Sequence, residues 1–255
     1  MLAAARSGVM AQPPALLLLH YFGGSGRSWD ALAARLGPAR RCVAPDMRGF
    51  GANHLGGPYA VGDYADDAAA LATGLEPFLL VGHSMGGKVA VALAARRPPG
   101  LAGVVLVAPS PPCPEPMTDD ARASLRASFG GQEGAAQTAR AISAKAAAGP
   151  AFDPAVFERV VADHMRADRP AWDAWLDTGS REDVTALAGQ VSVPVLVVAG
   201  VDDAALGSDV QRRLTLPRLP SARMETVPGS RHLVPLDQPG ALARLIEAFP
   251  AATSS

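Results

Sequence analysis

The stretch Leu79-Leu80-Val81-Gly82-His83-Ser84-Met85-Gly86-Gly87-Lys88-Val89-Ala90 constrains the fold of this chain more than any other. A short apolar run, long enough for a buried strand, meets Gly-x-Ser-x-Gly at Gly82 to Gly86, and an alanine-rich helical pattern follows. A sharp strand-to-helix turn forces the residue at its apex into a strained backbone, and glycines two before and two after remove the side chains that would collide. The apex hydroxyl is thereby exposed at the top of a sheet, with the first N–H groups of the helix directed at any negative charge that forms there. A chance match in a chain this rich in glycine and serine has a probability on the order of one in ten. The reading therefore rests on context: a strand before, a helix after, and later loops that supply an aspartate and a histidine.

Apolar runs followed by helical patterns recur along the chain. Ala15 to Leu19 is wholly apolar, as expected of a parallel strand buried on both faces, and opens into the glycine loop His20-Tyr21-Phe22-Gly23-Gly24-Ser25-Gly26. A helix from about Trp29 to Leu36, a strand over Arg41 to Pro45, a turn-rich Asp46-Met47-Arg48-Gly49-Phe50-Gly51 and a helix within Tyr59 to Thr73 lead to the strand before Ser84. Met85 to Arg96 reads as a helix stopped by Pro98-Pro99-Gly100, and Gly103 to Ala108 as a strand. This alternation is the mark of right-handed βαβ units and hence of an α/β, doubly wound, mostly parallel sheet, with ligands at the carboxyl ends of the strands.

The alternation breaks at Pro109-Ser110-Pro111-Pro112-Cys113-Pro114-Glu115-Pro116. From Thr118 to about Leu187 there are alanine-rich helical segments broken at Gly130-Gly131, Gly149-Pro150 and Pro170, with no convincing strand. Thr118 followed by Asp119 and Asp120 has the form of a helix N-cap with acidic residues in the first turn. We read residues 113–187 as a helical cap inserted into a core made of 1–112 and 188–255. Trp172, Trp175 and Leu176 then serve either as an apolar pocket wall or as ordinary packing of cap on core. The sheet resumes at Val193 to Gly200 and is followed by Val201-Asp202-Asp203, a short helix over Ser208 to Leu214 and a strand over Ala222 to Val227. Pro228-Gly229-Ser230-Arg231-His232-Leu233-Val234-Pro235 comes next, and Pro239 to Phe249 closes as an amphipathic helix.

Composition narrows the partners. A net charge of -1 without basic runs argues against nucleic acid or an anionic membrane surface, and favours a small neutral molecule. Cys42 and Cys113 are the two cysteines, without a CxxC or a histidine at metal-ligand spacing, so neither a disulfide framework nor a metal site is suggested. No apolar run approaches the roughly 18 residues of a membrane span. Met1 to Gln12 lacks the continuous hydrophobic segment of an export signal, so the expected location is cytoplasmic.

Ser84, Asp203 and His232 each sit in a loop just beyond an apolar strand, and such loops of one parallel sheet converge on one crevice. Serine is a poor nucleophile at neutral pH unless an imidazole takes its proton and a carboxylate fixes that imidazole. In these residues the chain resembles the α/β-hydrolase superfamily, in its capped subgroup of esterases, lactonases, carbon–carbon bond hydrolases and cofactor-free haloperoxidases. The matching stretches are Leu19 to Gly24, Asp46 to Gly51, Gly82 to Gly87, Gly200 to Asp203 and Ser230 to Pro235.

The resemblance implies that Ser84 is the nucleophile, His232 the base and then acid, and Asp203, favoured over Asp202 by the family's spacing, the orienting carboxylate. It also implies an oxyanion hole from the backbone N–H groups of Phe22 and Met85, and no cofactor. The expected reaction is cleavage of a small, mainly apolar carboxylic ester, thioester or lactone through an acyl-enzyme. The alternatives are carbon–carbon cleavage of a ring-fission diketone by the same residues, and a non-catalytic small-ligand binding protein on this fold.

Two departures stand out. Tyr21 occupies a position where the family usually has glycine, so its ring either narrows the pocket or packs outward. Only about 14 residues precede the first buried strand, too few for the hairpin that commonly starts this fold, so the N-terminal edge of the sheet is expected to be shortened. His20 is expected to brace its loop, His83 to pack beside the turn, His54 to lie in an exposed loop and His164 in the cap. Asp46 is expected to stabilise its own turn, and Lys88 to be a surface charge or one close to the site without acting in it.

Overall fold

Leucines four in a row decide the centre of the molecule. In the computed structural model, which describes residues 13–129, 135–146 and 152–250, Ala15–Leu19 forms strand β1, every residue of it buried. Because strand side chains alternate, Leu17 and Leu19 enter one core with Leu80, Val104 and Val197, while Leu16 and Leu18 enter the opposite one with Val81, Val105 and Val198. After α1 (Asp30–Leu36), strand β2 (Cys42–Val43) pairs with β1, and α2 (Val61–Ala72) leads to β3 (Phe78–His83) on the other side of β1. Helix α3 (Met85–Ala95) and β4 (Leu101–Val107) follow.

The segment between β4 and β5 holds five α-helices and no strand among its described residues: α4 (Asp119–Ala127), α5 (Ala135–Ala146), α6 (Pro154–Met165), α7 (Arg169–Asp177) and α8 (Thr185–Ala188). As expected, Thr118 caps α4, its hydroxyl accepting from the Ala121 N–H at 3.2 Å. The breaks expected at Gly130-Gly131 and Gly149-Pro150 lie outside the described residues, as does Met1 to Gln12. Strand β5 (Val195–Gly200), the short α9 (Ser208–Val210), β6 (Ala222–Val227), α10 (Val234–Asp237) and α11 (Pro239–Glu247) complete the chain.

The sheet has six strands in the order β2-β1-β3-β4-β5-β6, every adjacent pair parallel. Helices α2, α3 and α8 cover one face, and α1 and α11 the other. The direction of winding reverses between β1 and β3, so the loop after Leu19 and the turn after His83 open side by side at the carboxyl edge. Two local expectations need correction. The strand over 41–45 contracts to Cys42–Val43, because Pro45 offers no N–H and the chain turns off the sheet edge there. The helix over 208–214 becomes α9 followed by a wider π turn over Gln211–Thr215, in which Gln211 is buried and donates to the carbonyls of Pro109 and Leu206 at 2.9 and 2.8 Å. No helix of the described residues is long and apolar enough to cross a membrane.

Candidate active site

The turn from β3 into α3 carries the strain expected of it. Ser84 has φ +52° and ψ −115°, a left-handed backbone that a serine holds only under constraint, at a cost of about 1–3 kcal/mol. The constraint is a set of backbone hydrogen bonds: the Ser84 N–H donates to Val107 O at 3.0 Å, and Ser84 O accepts from Gly87 N at 2.8 Å and Ser110 N at 3.0 Å. Gly86 is required by close approach, since a Cβ there would stand 2.7 Å from the carbonyl oxygen of His20 and nearer still to that of Leu19. Gly86→Ala is therefore expected to destabilise the fold by about 1–3 kcal/mol through overpacking against backbone that has no room to retreat. The urea midpoint measures this, and a wild-type midpoint would refute the close-approach argument.

Ser84, His232 and Asp203 are brought together. His232 Nδ1 lies 2.8 Å from Asp203 Oδ2, and its Nε2 lies 3.0 Å from Ser84 Oγ. The second carboxylate oxygen of Asp203 accepts from the N–H groups of Ala205 and Leu206 at 2.9 and 3.1 Å, which fixes the acid by its own loop. Asp202 stays exposed, with its N–H bound to Ser230 O at 2.9 Å. The loops carrying Asp203 and His232 meet at Gly200, where a Cβ would stand 2.6 Å from Ser230 O.

Electrostatics follow the geometry. Burial alone would raise the Asp203 carboxyl, but the charge and hydrogen bond of His232 outweigh it and hold it down to about 2, so it stays ionised at working pH. Burial pulls the His232 imidazole down, yet Asp203 beside it leaves the balance raised above the ordinary histidine value. His83 does more than pack beside the turn: its Nε2 donates to the backbone carbonyl of His232 at 2.8 Å. Burial, then the neighbouring His232, push its own pKa down to about 3, so it remains a neutral donor.

Other expected positions are placed as follows. His20 braces its loop: Nδ1 donates to Tyr21 O at 2.8 Å and Nε2 accepts from Met47 N at 3.0 Å, which defines the tautomer. Asp46 holds its turn by accepting from Gly26 N and Ala52 N, both at 2.7 Å. His54 is exposed and pairs with Asp168 at 2.9 Å, whereas His164 is buried in the helical segment and bonded to Ser128 Oγ at 2.8 Å. Tyr21 packs inward against Val160 and Leu233, with its ring 5.1 Å from that of His83.

Phe22, partly buried beside Ser84's loop, has its ring 4.2 Å from Trp172 and 6.2 Å from Trp175. Those tryptophans and Leu176 are buried, with the Trp172 indole N–H donating to Leu125 O at 3.1 Å. The same loop is latched to α6 by Asp163, which accepts from Ser25 Oγ at 2.6 Å and pairs with Arg27.

Lys88 overturns the surface reading. It is wholly buried, and its ammonium meets three backbone carbonyls. A signal was present: α3 reads Met-Gly-Gly-Lys-Val-Ala-Val-Ala-Leu-Ala-Ala, apolar on every side, and a helix of that kind is buried all round. Glu115 escaped sequence reasoning altogether; it is partly buried within electrostatic reach of Lys88 and His232, and burial raises its carboxyl.

The comparisons with known proteins agree with this architecture. Over 100 residues, 38% of each chain, the sequence is 38% identical to the lipase LipV of Mycobacterium tuberculosis, so the match spans well under half of that lipase. It is 32% identical over 212 residues to the putative carbamate hydrolase RutD of Variovorax paradoxus, covering 78% of each chain. The solved esterase EaEST of Exiguobacterium antarcticum superposes with a TM-score of 0.82 over 93% of both chains at 16% identity, a likeness of fold. The alpha/beta hydrolase family model matches residues 16–245, almost the whole described chain, and on that match and the relative covering 78% of each chain the protein belongs to the alpha/beta hydrolase family.

Proposed function

We propose that the protein is a serine hydrolase that cleaves a small, mainly apolar carboxylic ester, thioester or lactone through an acyl-enzyme. The observation that carries this reading is the run of contacts from Asp203 Oδ2 through His232 to Ser84 Oγ, at 2.8 and 3.0 Å, ending on a serine with φ +52°. In this reading Ser84 Oγ attacks the carbonyl carbon while His232 Nε2 takes its proton, and Asp203 stabilises the resulting imidazolium. The oxyanion is held by the N–H groups of Met85, which as the first residue of α3 has no partner within the helix, and of Phe22. His232 then protonates the leaving group, and water, activated by the same imidazole, releases the acyl chain. Residues 113–187 act as a cap on a core of 1–112 and 188–255, and Phe22 with Trp172 gives the pocket an apolar side. Similarity to a protein named as a lipase supports the choice of bond.

A fluorophosphonate probe read by intact mass tests the proposal. One adduct on the wild-type chain, mapped to Ser84, is the expected result; no adduct on folded protein refutes it. Turnover across p-nitrophenyl esters of increasing chain length, run beside lactones and a ring-fission diketone, then separates ester chemistry from carbon–carbon cleavage.

The pH dependence has a defined sign. His232 must be neutral to accept a proton, and Asp203 raises its pKa above the ordinary value. Activity is thus expected to climb as pH rises, with its midpoint above about 6.5, the unperturbed histidine value. The same pairing stabilises the fold below the unfolded value of histidine, and that contribution is lost as pH rises through the raised folded value. A pH–rate profile flat from about pH 5 to 8 with chemistry rate-limiting would exclude His232 as the base.

A further inference from the structure

We propose that Lys88 is a positioning residue that moors both ends of the helical segment between β4 and β5 to the helix opened by Ser84. Its Nζ donates to Cys113 O at 3.1 Å, on the way out of the sheet, and to Ser180 O at 3.3 Å and Glu182 O at 2.9 Å, on the way back. Three carbonyl acceptors require three N–H donors, which an amine has only when charged, so the buried group is an ammonium. Burial lowers the pKa of this ammonium, and Glu115 is the strongest of the opposing charges that offset it.

The two roots run side by side at this point. The Glu115 N–H donates to Ser180 O at 2.8 Å, and the Val184 N–H to Pro112 O at 2.7 Å. Arg122, buried on α4, adds to the junction, donating to Leu176 O and Ser180 Oγ, both at 2.6 Å. An apolar side chain of equal length would fill the space under these roots without the cost of burying a charge. What the ammonium adds is direction: it draws carbonyls from two distant stretches to one point, four residues beyond Ser84. Helix α7, which ends beside the return root, carries Trp172 and Trp175 against Phe22, so the mooring sets how that wall meets the loop facing Ser84.

Hydrogen exchange by mass spectrometry on the full chain, wild type against Lys88→Met, tests the proposal. Peptides over 110–117 and 179–184 are expected to exchange about tenfold faster or more in the variant, with β3 and β4 changed by less than about threefold. Wild-type protection at both roots, or acceleration spread evenly over roots and strands, overturns it. Should Lys88→Met not fold, Lys88→Gln, with two donors on a shorter arm, carries the comparison. Acceleration at the roots of about threefold or more, confined to them, is then expected, and wild-type rates or uniform acceleration overturn the proposal.

A kinetic arm rests on the reading of Ser84 as nucleophile. In the variant, KM for a p-nitrophenyl octanoate is expected to rise about fivefold or more with kcat held within about twofold, and an unchanged KM overturns the claim that the mooring shapes the pocket. Fluorophosphonate labelling of the wild type is read in parallel, so that an unreactive serine and an unmoored segment give separate signatures.

Discussion

Ser84→Ala is expected to lower turnover of a p-nitrophenyl ester by about 10⁴-fold or more and to abolish the fluorophosphonate adduct. In the proposed mechanism, removing the hydroxyl deletes the atom that would form the acyl bond, while the proposed oxyanion donors, being backbone, remain and leave a residual rate above that of water. The change is gentle on the fold. The Ser84 backbone hydrogen bonds that hold the turn, to Val107, Gly87, Lys88 and Ser110, do not need the side chain. Thermal midpoints of variant and wild type are therefore expected to agree within about 4 °C, the shift that roughly 1 kcal/mol brings to a domain of this size. A variant that keeps more than a tenth of wild-type kcat would rule out Ser84 as the nucleophile.

The second large effect is expected at the acid. Asp203→Asn is isosteric, and its amide oxygen can still accept from Ala205 N and Leu206 N, so the loop keeps its shape. What is lost is the charge beside His232. An amide nitrogen turned toward Nδ1 favours the tautomer with the proton on Nε2, which then faces Ser84 as a donor instead of an acceptor. A fall in kcat of about 10⁴-fold follows from the wrong tautomer and the unsupported imidazolium. The pH profile supplies an independent check. Because Asp203 is what raises the His232 pKa against its burial, the residual activity of the variant is expected to have its midpoint displaced to lower pH. An unshifted midpoint would mean that another group sets that limb.

Much of the fold and of the candidate site can be read from sequence because Ser84 and Asp203 each follow an uninterrupted apolar run, whereas His232 follows the mixed strand Ala222–Val227. Leu79 to Val81 announce Ser84, Val195 to Ala199 announce Asp203, and the alternation of strand and helix places those loops at one edge. What cannot be read this way is contact between segments far apart along the chain. Nothing local to Phe22 points to Trp172, and nothing local to Ser25 points to Asp163, because the helices that bring them together are positioned by long-range packing. Lys88 is an intermediate case. Its burial follows from an apolar helix with one charge in it, but its carbonyl partners lie 25 to 94 residues away and leave no trace in the pattern.

The alternation of leucines into two cores has a consequence for how β1 finds its alignment beside β3. Within Leu16 to Leu19 a slip by one position replaces leucine with leucine on each face, and only the ends differ, where His20 or Pro14 and Ala15 would be drawn in. Hydrophobicity along the leucines therefore does little to fix the alignment of β1 with β3. An end-stop does more: the carbonyls of Leu19 and His20 rest against the bare Cα of Gly86, and a slip would drive them into α3 or pull them away from it. The turn that presents Ser84 thus also opposes a slip of β1, so the alignment of that strand and the geometry of the candidate site depend on the same glycine.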